Sequence, residues 1–197
     1  MKEKLNKIQA VLKKSKSLGV HLANRIKVEG SKAMLTDGRR MILVDNVGLE
    51  DGVIGEGEFP IYKEDIEKAF VIGEWDIDMA AYCSENNLMK DSHVIRFNCE
   101  FVHYRKGTEC VANIEKAKVA EISSEFFADC VRFHRILSGK REKSCVFKMK
   151  IVEVSGGYKR VIIEKGDLQI IIACNATNCY YAEGVVIDFQ LESKKVF

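Results

Sequence analysis

Residues able to act as catalytic acids, bases or nucleophiles are dispersed along this chain. The histidines are well separated in sequence, at His21, His93, His103 and His134. His134 falls at the edge of an apolar helical face, where a packed imidazole is more common than a general base. Asp76 and Asp78 share a strand face, but no motif for metal binding or nucleophilic chemistry surrounds them. We therefore predict no catalytic residues and no enzyme activity, and keep an enzyme of unknown chemistry as the third alternative.

The cysteines argue against both a metal centre and a disulfide framework. The chain has seven, at positions 83, 99, 110, 130, 145, 174 and 179, scattered over predicted strands and a helix. A zinc site needs paired thiols or histidines at short spacing, and no second pair lies near Cys174 and Cys179. We predict free thiols in a cytoplasmic protein, with no metal ligands and no cofactor.

Basic residues on the first predicted helix give the clearest indication of a ligand. Leu5, Ile8 and Leu12 form its apolar stripe. The opposite face carries lysines with no acidic residue among them, Lys2, Lys7, Lys13 and Lys14. Surface helices usually interleave opposite charges at i,i+4 spacing, so a lysine-only face is unusual for a plain surface helix. A merely solvated helix is the alternative.

A later helix, predicted from Ser124 to about Leu137, has a more mixed outer face. Glu125 and Asp129 lie on that face among its arginines. The basic residues of this helix and of the segment after it are Arg132, Arg135, Lys140 and Arg141.

Charge is segregated along the chain although the formal net charge is only +2. Residues 1–45 hold eleven Lys or Arg against four Asp or Glu, residues 46–91 hold three against twelve, and residues 92–197 hold seventeen against thirteen. The basic segments are candidates for binding phosphate backbones, and the acidic middle segment is a candidate for binding proteins. Ordinary solvation of the surface is the competing interpretation.

These residues must be positioned by a pattern that occurs twice, an amphipathic helix followed by a three-strand antiparallel meander. The first copy runs from about Glu3 to Val44, with turns at Gly30-Ser31 and Asp37-Gly38. The second runs from about Ser123 to Cys174, and a strand near Ile114 to Ile122 precedes its helix. We predict an α+β protein with its helices on one face of the sheets.

A shorter, acidic unit of helix and strands is predicted between the two copies. It comprises a loop at Asn46–Glu58, a helix at Lys63–Phe70, and strands at Trp75–Tyr82, Val94–Asn98 and Cys99–Arg105. One more strand is predicted at Val185–Leu191. We divide the chain into two domains, residues 1–110 and a second, truncated one at residues 111–197.

Nothing in the sequence predicts a membrane segment. The first twenty residues alternate lysine with leucine and isoleucine, unlike a signal peptide. The longest apolar run, Ile170–Cys174, is long enough only for a strand.

The order of elements, with the residues Thr36, Asp37, Gly38 and Arg39, resembles the DNA sliding clamp family, particularly domains of the bacterial polymerase III beta subunit. Two further segments are similar to that family: GEFPIYKEDIEKAF at 57–70 and AEISSEFFADCVRF at 120–133. The resemblance covers about two-thirds of the chain by element order. Clamps of this family are built from strand-helix-meander halves, and a Thr-Asp-Gly turn followed by Arg is frequent in them.

The resemblance implies a non-catalytic processivity or scaffold factor in DNA replication, with helices facing duplex DNA and sheets facing outward. Lysines opposite the core would meet phosphates without discriminating between bases. The resemblance implies Lys2, Lys7, Lys13 and Lys14 as the first candidates for these contacts and Arg132, Arg135, Lys140 and Arg141 as the second. The family also captures short polymerase peptides in an apolar groove on its outer face. A chain of this length would act as a homo-oligomer to encircle DNA. The alternative is a protein-interaction module with the same fold and no DNA role.

Overall fold

The computed structural model describes residues 1–14, 20–55, 57–60, 66, 68–88, 93–104, 112–154, 157–174 and 184–195. Within these residues the chain forms three α-helices, α1 (Lys2–Leu12), α2 (Met79–Glu85) and α3 (Ser124–Ser138), and a short 3-10 helix at Val20–Asn24. The strands are β1 (Ile26–Glu29), β2 (Lys32–Thr36), β3 (Arg40–Val44), β4 (Gly52–Ile54), β5 (Phe70–Asp78), β6 (His93–Tyr104), β7 (Ala112–Ser123), β8 (Val146–Glu153), β9 (Lys159–Lys165), β10 (Leu168–Ala173) and β11 (Gly184–Lys195).

Eight of the strands form one antiparallel sheet in the order β4-β1-β2-β3-β10-β9-β8-β5. Each predicted meander forms one half of it, β1-β2-β3 after α1 and β8-β9-β10 after α3. The halves join where β3 pairs with β10, with Ile42 opposite Ile170. A second sheet has three strands, in the order β11-β6-β7. The expected α+β class is therefore correct.

Local residue chemistry accounts for the tight turns between these strands. Gly30 and Ser31 both have positive φ, 55° and 66°, as a two-residue hairpin between right-twisted strands requires. The first meander closes at Gly38, where φ is 85°. In the second meander Gly166, with φ 56°, closes the turn between β9 and β10.

The three helices pack on one face of the eight-stranded sheet. Their buried residues, such as Ile8 and Phe127, belong to one core with Ile42 and Ile170. Because side chains alternate along a strand, Met41 faces the other way. It belongs to a smaller apolar cluster on the opposite face, which consists of Met41, Val152, Val154, Ile162 and Ile171, with Leu43, Ile66 and Ala69 packed against it.

Polar caps fix the limits of the two later helices. The Ser123 hydroxyl accepts the amide hydrogen of Glu125 at the start of α3, and Gly139, with φ 72°, ends the helix in a left-handed conformation. The Asp78 carboxylate accepts the amide hydrogens of Ala80 and Ala81 and so starts α2.

The middle of the chain departs from expectation at several points. The strand predicted at Trp75–Tyr82 ends at Asp78, because that residue caps α2. The two strands predicted at 94–98 and 99–105 are one strand, β6. The loop predicted at 46–58 contains β4, which pairs with β1. Four of the eight residues of the helix predicted at 63–70 lie outside the described residues; of the other four, residues 66, 68 and 69 form bends and a turn and Phe70 begins β5.

Strands from both predicted domains meet in the large sheet. β3, from residues 1–110, pairs with β10, and β5 pairs with β8. The division at residue 110 stays a prediction. Among the described residues, the helices are all too short or too polar to span a membrane.

Candidate nucleic-acid interface

Helix α1 carries the primary candidate lysines on the side that faces away from the core. Leu5, Ile8 and Leu12 are fully buried against the sheet, as their spacing predicts. Lys2, Lys7, Lys13 and Lys14 are exposed. The helix ends at Leu12, with Lys13 as its C-cap. Residues 15–19 lie outside the described part of the chain.

The face of α1 is not free of acidic residues, contrary to the sequence analysis. Lys7 Nζ lies 2.7 Å from a Glu3 carboxylate oxygen, one helical turn away. The Lys7 ammonium, through its hydrogen bond and its charge, lowers the pKa of Glu3. Both side chains are exposed, so the pair adds little stability. It does reduce the positive charge that Lys7 offers to a phosphate.

The start of α1 lies beside the end of α3. Lys4 Nζ donates to the carbonyl oxygen of Leu137, one of the last carbonyls of α3, where the helix dipole favours a cation. This contact brings Lys2 to the end of the molecule where Lys140 and Arg141 follow α3. Lys13 and Lys14 lie at the opposite end of α1, roughly 16 Å away at 1.5 Å per residue.

Five cations on these elements are exposed and form no ion pair with a described residue: Lys2, Lys13, Lys14, Lys140 and Arg141. We call this set the basic surface. Their side chains are free to exchange water and salt ions for phosphates. Contacts of this kind depend on ionic strength and carry no base specificity.

The arginines of α3 are more constrained than the basic surface. Arg132 is exposed, but its Nη1 lies 2.7 Å from Asp129 Oδ1. Arg135 is half-buried, and its Nε is buried without a hydrogen-bond partner in the described residues. Asp129 was expected on the outer face, yet it is 2% exposed and faces the core. The helix is therefore less open to a phosphate backbone here than its pattern indicates.

Asp129 is buried because Arg40 lies against it. Arg40 is 1% exposed, and its Nη1 lies 2.7 Å from Asp129 Oδ2. The same guanidinium contacts Asp37, through Nε at 3.0 Å and Nη2 at 2.9 Å from Oδ2. It also stacks 4.3 Å above the ring of Phe126. One buried arginine thus joins the first meander to α3 of the second.

The turn before β3 is built to hold that arginine. Asp37 Oδ1 accepts the amide hydrogens of Arg39 and Arg40, at 3.1 and 2.9 Å. Thr36 Oγ1 donates to the Arg40 carbonyl and accepts from the Gly38 amide. The Thr-Asp-Gly-Arg-Arg sequence was noted as a turn, and the burial of its last arginine was missed. The only sequence signal is that Arg40 begins an apolar strand.

The opposite face of the sheet has a cavity of about 290 Å³. Leu22, Met41, Pro60 and Ile171 supply apolar walls, and Arg39 and Arg160 supply positive charge. A space of this size accepts one or two apolar side chains. Arg39 is exposed and would pair with a carboxylate next to it. No sequence pattern indicated this cavity, because its walls come from distant segments.

One group of side chains in the described residues has the composition of a metal site, His134, Glu142 and Cys145. The sequence analysis predicted no metal ligands, since the three positions match no familiar zinc spacing. The described cysteine side chains, Cys83, Cys130, Cys145 and Cys174, are free thiols. Burial raises the pKa of Cys83 and of Cys174 to about 12, so neither is a ready nucleophile.

Comparison with known proteins yields no relative: the chain matches no protein-family model, no curated protein and no solved structure.

Proposed function

We propose that this protein is a non-catalytic scaffold that lies on duplex DNA through its helices, in the manner of a sliding clamp. The observation that carries the proposal is the basic surface, five exposed cations that form no ion pair with a described residue and lie on α1, just after α1 and on the segment after α3. Its cations lie on the side of the molecule that carries the helices, where the family resemblance requires DNA to bind.

The doubled architecture supports the clamp-like interpretation. Two units of helix and meander meet at the β3-β10 pair, and all three described helices cover one face of the sheet. The helices lie on one face of the large sheet, where the three-stranded sheet also contributes Phe97 and Ile122 to the core. Phosphate contacts from the helical side would be loose and independent of base sequence, which permits movement along the duplex.

The cavity on the opposite face supports the second part of the proposal, the capture of short peptides from polymerases or other DNA-associated proteins. It lies on the face away from the basic surface, so a peptide and a duplex would not compete for the same space. Its apolar walls and the exposed Arg39 fit a segment with apolar side chains and a carboxylate.

A ring around DNA would require several copies of this chain. One copy covers only one side of a duplex, and self-association by a repeated contact closes a ring when the rotation between copies permits. The two outer strands of the large sheet, β4 and β5, are the edges available for such a contact.

The first prediction concerns binding to a duplex of arbitrary sequence, measured by fluorescence anisotropy between about 50 and 200 mM salt. We expect affinity to fall steeply with salt. Replacing Lys2, Lys13 and Lys14 together by glutamate should weaken binding, and should lower the slope of log affinity against log salt by about one for each lost phosphate contact.

Lys27→Glu is the matched control. Lys27 lies between Ile26 and Val28, whose side chains are buried on the helical face, so its own side chain is on the opposite face. This variant should bind DNA as the wild type does. Absence of measurable affinity at the lowest salt, or equal losses in the control and the triple variant, would contradict the proposal.

The alternative is a protein-interaction module with no DNA role, and the cavity is the observation that favours it. The same titration separates the two functions. A module that binds only proteins would show no salt-dependent DNA affinity, and the three lysine replacements would have no effect in the assay.

A further inference from the structure

Three side chains with metal-binding atoms converge at the end of α3. His134 belongs to α3, Glu142 to the segment that follows it, and Cys145 directly precedes β8. One nitrogen of the imidazole, one carboxylate oxygen and the thiol sulfur all lie within 4.8 Å of one another. The reversal of the chain after α3 brings these positions together.

The distance between the imidazole and the carboxylate fits two ligands of one ion. His134 Nε2 lies 3.4 Å from Glu142 Oε2, and this buried nitrogen has no hydrogen-bond partner among the described residues. Zinc binds nitrogen and oxygen at about 2.0–2.2 Å, which places two ligands of a tetrahedral ion roughly 3.4 Å apart. A strong hydrogen bond would be shorter, near 2.9 Å.

The surroundings would hold these ligands in place. The Phe147 ring meets the imidazole edge to face, with 5.8 Å between centroids, and limits its rotation. Cys145 is 2% exposed. The Glu142 side chain is 40% exposed, so an ion can reach the cluster from solvent. The site is therefore mostly shielded from solvent, and Glu142, at its solvent-exposed side, is the ligand that can adjust its position.

The charges around the cluster are compatible with a bound divalent ion. A thiol must lose its proton to bind a metal ion. Binding would form a metal–sulfur bond and release that proton to solvent. Thiolate and carboxylate together then balance a 2+ ion. The cations near the cluster are Lys165 and Arg135, and they would face a neutral metal complex. Asp78 is a further acidic residue near the cluster.

We propose that His134, Glu142 and Cys145 form a binding site for a thiophilic divalent ion such as Zn²⁺, with the fourth position open to water. Imidazole with thiolate selects zinc over magnesium or calcium, which prefer oxygen ligands. The site ties the end of α3 to the start of β8. It stands on observations separate from those for DNA binding, and either proposal can fail without the other.

Cobalt titration of the untagged full chain tests the site, because Co²⁺ replaces Zn²⁺ and a thiolate ligand gives it a strong charge-transfer absorption in the near ultraviolet. We expect this absorption to saturate at one ion per chain and to disappear when Zn²⁺ is added. Cys145→Ser should abolish it. His134→Gln and Glu142→Gln should each weaken cobalt binding roughly tenfold or more.

Cys174→Ser and Glu125→Gln are the matched controls and should bind cobalt as the wild type does. The Cys174 amide bonds to Lys159 at the start of β9, whereas the cluster lies beside Lys165 at its end, about 20 Å away. Because Glu142 is half-exposed, its replacement leaves the metal-free chain folded, which circular dichroism would verify. A wild type without charge-transfer absorption would overturn the proposal, as would undiminished absorption in Cys145→Ser.

Discussion

Arg40 is the residue with the largest structural role in the molecule. A fully buried guanidinium is costly to remove from water, and it is tolerated only when its charge is paired. Asp37 meets it from its own turn and Asp129 meets it from α3. The pairing spans 89 positions in sequence, so it specifies how the two units fit together.

We expect Arg40→Met to lower the free energy of unfolding by about 3–5 kcal/mol, because it removes the Arg40 cation from the buried Asp37 and leaves Asp129, among the described residues, with only the exposed Arg132. Adding Asp129→Leu to Arg40→Met should recover part of the loss, since Asp37 keeps its two backbone donors. Urea denaturation followed by circular dichroism measures both effects.

Arg132→Met is the control for this residue-scale prediction. Its guanidinium is 52% exposed, and Arg40 continues to neutralise Asp129 without it. The cost should stay below about 1 kcal/mol. Equal losses of unfolding free energy for Arg40→Met and Arg132→Met would show that burial of the Arg40–Asp129 ion pair is unimportant for stability.

Among the elements, α2 depends on one carboxylate that joins it to the second unit. Asp78 Oδ1 accepts the amide hydrogens of Ala80 and Ala81 at the start of the helix, and that of Cys145 before β8, each at 3.0 or 3.1 Å. The Cys145 amide, the Ser144 side chain and the helix amides favour the ionised form and lower the pKa of Asp78 to about 2.

This pKa predicts how stability changes with pH. A carboxyl with a lowered pKa contributes its stabilisation above its ordinary pKa of 3.8 and loses it as pH falls toward about 2. Asp78→Asn keeps a capping oxygen but has no charge. We expect the variant to melt at a lower temperature than the wild type at pH 6, and the difference to shrink between about pH 4 and pH 2.

Asp76→Asn, two positions earlier on β5, provides the comparison. Asp76 is exposed and caps no helix. Its replacement should leave the difference from the wild type small and constant over the same range. A difference for Asp78→Asn that does not change with pH would mean that the charge of the cap is irrelevant.

At the scale of the whole molecule, the large sheet has two outer edges. β4 ends it on one side and β5 on the other, and within the described residues each pairs with a single neighbour in that sheet. β5 also exposes two large apolar side chains, Phe70 at 67% and Val71 at 49%. Exposed edges with apolar residues favour pairing with another chain.

We expect the protein to self-associate in solution through these edges, as the clamp-like proposal requires. Replacing Phe70 and Val71 together by lysine should shift the molecule to monomers, because the charges would be buried in a strand-to-strand contact. Sedimentation velocity at several concentrations measures the change.

Tyr158→Lys is the control for self-association, since Tyr158 is equally exposed, at 60%, but precedes β9 in the interior of the sheet. It should leave the oligomer intact. If the wild type stays monomeric at tens of micromolar, the protein does not form a ring and that part of the proposal is wrong. DNA binding by single copies would then be tested separately.

The periodic parts of the fold were predictable from sequence because local patterns specify them. The apolar stripe of Leu5, Ile8 and Leu12 predicts α1, and glycine turns predict both meanders. Prediction failed at Trp75–Tyr82, where alternation suggested one strand. The strand ends at Asp78, because this residue caps α2. The Asp78 carboxylate accepts its third hydrogen bond from the amide of Cys145, which is distant in sequence.

The candidate sites divide in the same way. The exposed lysines of α1 were identifiable from sequence, because a helix places residues on a face by their spacing alone. The buried position of Asp129, the cavity and the His134, Glu142 and Cys145 group were not, because each consists of residues from separate segments.

The sequence by itself determined the α+β class, the two helix-and-meander units and the lysine-bearing face of α1, since each follows from the order of residues within one segment. Only the tertiary structure decided that the units join at β3 and β10, that Arg40 connects them through Asp129, and which cations remain unpaired. Those outcomes depend on contacts between distant segments, which local patterns do not encode.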